Sequence, residues 1–76
     1  MKYQPTEQQR RQVENNFKYH TPKEGQPDRY TELRAMAFTL ATKIIEEAPP
    51  SREQSLALTK LEEAVMWANA AIARNE

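Results

Sequence analysis

The chain has 76 residues, among them one Trp, two Phe and three Tyr, and it balances eleven Lys and Arg against eleven Asp and Glu. That length limits it to one domain with a modest core. The absence of Cys excludes disulfides and thiolate metal sites, and a lone His is too little for a protein-only metal cluster, so no metal and no cofactor are expected.

After MKYQP, Thr6 with Gln9 forms a capping box and predicts a short helix over about 6–16. Its interior, EQQRRQVENN, offers only Val13 and Phe17 nearby as apolar anchors, so this helix is expected to lie across the others. The following stretch, FKYHTPKEGQ, gathers two aromatics, the one His, a Pro and the one Gly, and reads as a loop with functional residue types in it. Phe17 and Tyr19 either plug the end of a helical bundle or, for Tyr19 with its hydroxyl, sit at a wet interface.

Pro27 is expected to start a second helix over about 27–47, with Gln26 or Asp28 near its cap and Asp28 and Glu32 well placed in its first two turns. Tyr30, Leu33, Ala37, Leu40 and Ile44 make one stripe. Arg34, Phe38, Ala41 and Ile45 make a neighbouring one, which puts a guanidinium in an otherwise apolar row. Such an arginine snorkels to solvent, pairs with Glu62 or Glu63, or points its fork at an anion.

Pro49-Pro50 stops that helix, and Ser51 with Gln54 is a second capping box opening a third, over about 52–74. Leu58, Leu61, Val65, Ala68 and Ile72 form its main apolar stripe, while Leu56, Met66 and Trp67 lie off it. Two apolar faces on so small a chain predict a symmetric oligomer. The short connections predict an all-α fold, a single domain over 1–76 in which a short N-terminal helix packs on an antiparallel hairpin of two long ones.

No apolar run of about 18 residues marks a membrane span, and the N-terminus lacks a signal-peptide core, so an intracellular protein with no membrane partner is expected. Polymeric nucleic acid is also a poor fit, because the charges balance and no helix carries a basic stripe. Catalysis finds no constellation. His20 has no Ser or Cys nucleophile beside it, the adjacent Glu62 and Glu63 cannot share a cleft, and Gly25 alone cannot build a phosphate loop. Binding without turnover is the simpler reading.

The segments NNFKYHTPKEGQPDRY, the LR pair of the second helix and PPSREQSLALTKLEEAVMWANAAIARNE resemble the small phage anti-CBASS proteins, which are cyclic-oligonucleotide sponges. The resemblance runs over about residues 13–76. It implies a compact all-helical homohexamer, in the cytoplasm of the infected bacterial host, that binds signals such as cyclic GMP-AMP between protomers without hydrolysing them and takes cyclic trinucleotides at separate sites. It also implies site residues. The aromatic position after the short helix matches Tyr19, the basic position one turn into the second helix is filled by Arg34, and the basic position near the C-terminus, for the larger ring, matches Arg74. His20 and Lys23, from the loop of Tyr19, are expected as weaker helpers. The alternative is a helical protein-binding adaptor of phage or bacterial origin that uses Met66 and Trp67.

Overall fold

A computed structural model describes residues 2–76. It contains α1 (Glu7–Asn16), α2 (Gln26–Glu47) and α3 (Arg52–Asn75), with no strand among the described residues. The fold is all-α.

Each helix start has its own chemistry. At α1, Thr6 Oγ1 accepts from Gln9 N at 3.0 Å and Gln9 Oε1 accepts from Thr6 N at 2.9 Å, so the capping box is complete. An exposed Glu7–Arg11 pair at 3.1 Å adds only a few tenths of a kcal/mol, about what one i,i+4 pair contributes. At α3 the box is half formed. Ser51 Oγ accepts from Gln54 N at 3.1 Å, but Gln54 Nε2 donates to Ala48 O at 2.8 Å and so ties the first turn of α3 to the end of α2.

The start of α2 departs from expectation, since Gln26 is already helical and the N-cap is Gly25, with no side-chain cap. Gly25 has φ 84, a left-handed backbone that costs other residues about 1 kcal/mol or more. Gln26 ties down the loop that precedes the helix. Its Oε1 accepts from Lys23 N at 2.9 Å while its own N donates to Lys23 O at 3.0 Å, which closes the loop in front of the helix.

α2 and α3 pack along their length, joined by the short turn at 48–51. Arg34, Ala37, Phe38, Ala41 and Ile45 of α2 line one groove together with Leu58, Leu61, Glu62 and Val65 of α3. The inward face of α3 carries the half-buried Leu58, Leu61, Val65, Ala68 and Ile72, as the periodicity predicts. On α2 the inward face is Tyr30, Leu33, Ala37, Ala41, Ile44 and Ala48, so the stripe runs through Ala41 and leaves Leu40 half exposed.

The expected packing of α1 on the hairpin does not occur within the single chain. α1 buries no residue, and Val13 and Phe17 are 57% and 86% exposed. Two apolar side chains on a polar helix are too little to hold it down, and its contact with α3 is polar, through Asn15 to the Arg74 carbonyl. The resulting molecule measures 49 × 38 × 13 Å, one helix thick. Its radius of gyration is 17.0 Å, against about 11 Å for a compact domain of this length. It exposes 6686 Å², against roughly 4,800 Å² for a folded monomer of its mass, and no apolar residue is buried among those described.

Candidate functional site

The loop between α1 and α2 meets the C-terminal end of α3, where the last carbonyls of a helix lack intrahelical partners. Asn15 Nδ2 donates to Arg74 O at 3.1 Å. His20 Nε2 lies 2.7 Å from Asn15 O, and because a carbonyl only accepts, the imidazole carries its proton on Nε2. His20 thereby holds the end of α1 and leaves Nδ1 for another partner.

Beside it, Glu76 is surrounded by donors. Arg29 presents both arms of its guanidinium, Nη1 to Oε1 and Nη2 to Oε2, each at 2.8 Å. Gln26 Nε2 donates to Oε1 at 3.3 Å, and Lys23 Nζ donates to the main-chain oxygen of Glu76. Gln26 is 4% exposed and is thus the one buried residue among those described, fixed at both ends of its amide.

These contacts shift both charges in the expected senses. The hydrogen bond to Glu76 raises the Arg29 pKa, with the attraction between the charges second. The Glu76 carboxyl is held below its ordinary range, first by the hydrogen bond from Arg29 and then by that from Gln26. Because the folded carboxyl titrates lower than the unfolded one, its contribution is present above the ordinary carboxyl range, about pH 4, and is lost as pH falls through the depressed value. Acidification from pH 7 to about 3 is therefore expected to fray the last turn of α3. Protection factors of the amides at Ala73 to Glu76, taken against the intrinsic exchange rate at each pH, should fall over that window in the wild type, and Glu76→Gln should flatten the dependence; an unchanged profile in the variant would assign it to another group.

Arg34 stands elsewhere, in an open groove of ≈ 470 Å³ between α2 and α3 whose lining is otherwise mostly apolar: Ala37, Phe38, Ala41, Leu58, Leu61 and Val65 with Glu62. Among the described residues the ion pairs are Glu7–Arg11, Arg29–Glu76, Lys43–Glu47 and Lys60–Glu63, so Arg34 is paired with neither Glu62 nor Glu63. Tyr19 is 81% exposed and Phe17 86%, so neither ring plugs the end of a bundle within the chain.

Of the residues singled out from sequence, His20, Lys23 and Arg74 are thus drawn together at the end of α3, Arg74 through its carbonyl, while Tyr19 is exposed and Arg34 has no ion-pair partner among the described residues. Asn15, Gln26, Arg29 and Glu76 were not anticipated, because they pair over 47 to 59 positions of sequence and no local pattern announces such pairs. Among the described residues no group of His, Cys, Asp or Glu could hold a metal ion, and no helix is long and apolar enough to cross a membrane.

The family model described as Acb2/Tad1, hairpin domain matches residues 9–73 of this chain. Tyr19, His20, Lys23 and Arg34 lie inside that stretch, and Arg74 and Glu76 just beyond it. No curated protein and no solved structure matches the chain.

Proposed function

Given that the chain belongs to the Acb2/Tad1 hairpin family, whose members sequester cyclic oligonucleotide immune signals without catalysis, we propose how this particular chain does so. It acts as a homohexamer in the cytoplasm of the infected bacterial host, each 1–76 chain forming one unit, and takes cyclic GMP-AMP between protomers. Tyr19 stacks on a base and Arg34 binds a phosphate or base edge, with His20 Nδ1 and Lys23 assisting from the loop. Arg74 serves a separate cyclic trinucleotide site, where symmetry brings several copies to one ring.

The observation that carries the site assignment is Arg34, a guanidinium in a largely apolar groove with no ion pair among the described residues. Arginine forks match phosphate oxygens bidentately, and the apolar surroundings strengthen that contact. Support for assembly is the surface excess of about 1,900 Å² per chain over a folded monomer, roughly twice the ~800 Å² that each partner buries in a standard interface. Trp67 and Met66, 65% and 67% exposed, are the residues an adaptor would offer to a foreign protein, and they are equally suited to a neighbouring copy.

One experiment separates these uses. Protein incubated with a mixture of cyclic dinucleotides, desalted and heated, should release intact cyclic nucleotide on mass spectrometry, with no linear product. A supernatant without nucleotide, joined by a bound host protein on capture, would favour the adaptor.

A further inference from the structure

The groove between α2 and α3 holds more than Arg34. Glu62 lines it from α3 and Phe38 from α2, over a floor that includes Ala37, Leu61 and Val65. Other carboxylates on these helices find partners close by, Glu63 with Lys60 at 3.2 Å and Glu47 with Lys43 at 3.0 Å. Among the described residues neither Glu62 nor Arg34 enters an ion pair, so the groove keeps one charge of each sign uncommitted. Phe38 follows Arg34 by one turn of α2, about 6 Å, and its ring is 73% exposed. The groove volume of ≈ 470 Å³ falls within the range of about 300–1,000 Å³ typical of small-molecule sites.

Two opposite charges left apart in one groove suit a ligand that carries an anion and a row of donors together. A phosphate alone gains from Arg34 and is opposed by Glu62. A carboxylate is acceptor-only and takes two parallel N–H bonds in bidentate geometry. Guanine offers such a pair, N1–H beside the N2 amino group, on its Watson–Crick edge. The same edge of adenine sets the N6 amino group beside the N1 lone pair, which a carboxylate repels. An exposed aromatic ring serves as a platform for either base, so stacking supplies affinity and the carboxylate supplies the choice.

We propose that Glu62 reads guanine in the cyclic dinucleotide site, with Phe38 stacked on that base and Arg34 on the ring's phosphate. The inference rests on the cyclic-nucleotide reading and adds two residues to it. Tyr19 and Phe38 take one base each, and a ring that carries guanine is preferred to one that carries only adenine.

The test is calorimetric titration of the full chain with cyclic GMP-AMP and with cyclic di-AMP, with sedimentation in parallel. The wild type should bind cyclic GMP-AMP about five- to a hundredfold more tightly, the discrimination expected of one bidentate base contact. Glu62→Gln, whose amide offers adenine both a donor and an acceptor, should bring the two affinities together or invert them, and Glu62→Ala should equalise them by weakening cyclic GMP-AMP. Phe38→Leu should weaken both rings about fivefold or more while keeping their ratio. A wild type without preference, a preference that survives both Glu62 variants, or a loss of sedimenting mass in those variants would overturn the guanine assignment and leave dinucleotide binding standing. Unaltered binding by Phe38→Leu would remove the platform, and a wild type that binds neither ring would defeat this inference together with the reading it rests on.

Discussion

Trp67→Glu is expected to reduce the sedimenting mass from that of the proposed hexamer, about six times 8.9 kDa, to that of one or two chains at micromolar protein. Trp67 is 65% exposed in the single chain, and covering that remainder is worth about 3 kcal/mol per copy at roughly 25 cal/mol per Å². Losing it raises the dissociation constant of an interface about a hundredfold. A glutamate in the same place adds the desolvation of an unpaired charge, several kcal/mol more. Lys60→Glu is the control, because Lys60 is 72% exposed and makes only a solvent-screened i,i+3 pair with Glu63 at 3.2 Å. Equal masses for wild type and both variants would place Trp67 outside any interface, and a wild type that sediments as a monomer would remove the interprotomer pocket altogether.

The second large effect is expected at the nucleotide surface. Tyr19→Ala should weaken cyclic GMP-AMP by about 1 to 3 kcal/mol, the loss when a base leaves its aromatic platform, or roughly five- to a hundredfold in Kd. Tyr19 packs against little within the chain, so its removal should not disturb folding. Arg34→Ala should cost about 1.5 to 3 kcal/mol for a charge-assisted hydrogen bond, whereas Arg34→Lys keeps the charge, loses the fork and should fall between. Calorimetry with parallel sedimentation checks both, since the affinity loss must come without a loss of mass. Two variants that bind as the wild type does would reassign Tyr19 and Arg34 to structure.

What could be read from the sequence was whatever is local. The Thr6–Gln9 box, the Pro49-Pro50 stop and the three- and four-residue spacing on α3 each involve neighbours within a turn, where helical geometry fixes who meets whom. The stripe on α2 was misplaced at one position. Side-chain size favours Leu40 for the core, but close approach of the two helices favours Ala41, and the tighter packing prevails. The Ser51–Gln54 spacing predicts that Gln54 caps its own helix, but its side chain donates to Ala48 O, because a carbonyl at the end of the preceding helix lies within reach once the turn is built. Arg34 was legible as unusual from its row of apolar neighbours. Arg29, four residues past Gly25 and on a different face, looked like any exposed helical arginine until α3 brought Glu76 to it. The lateral placement of α1 was unreadable for the opposite reason, since a helix with so little apolar surface has no strong preference to encode.

A layer one helix deep has no inside, and that links this protein's lifetime to its abundance. A lone chain 13 Å thick fully buries none of the large apolar side chains among its described residues, so it is expected to open readily and to be cut by proteases whenever it is dilute. In the proposed assembly, mass action makes the melting temperature rise with chain concentration. Dose would then act as a switch. The first copies made are lost, and capture capacity climbs more steeply than copy number once chains meet faster than they are degraded.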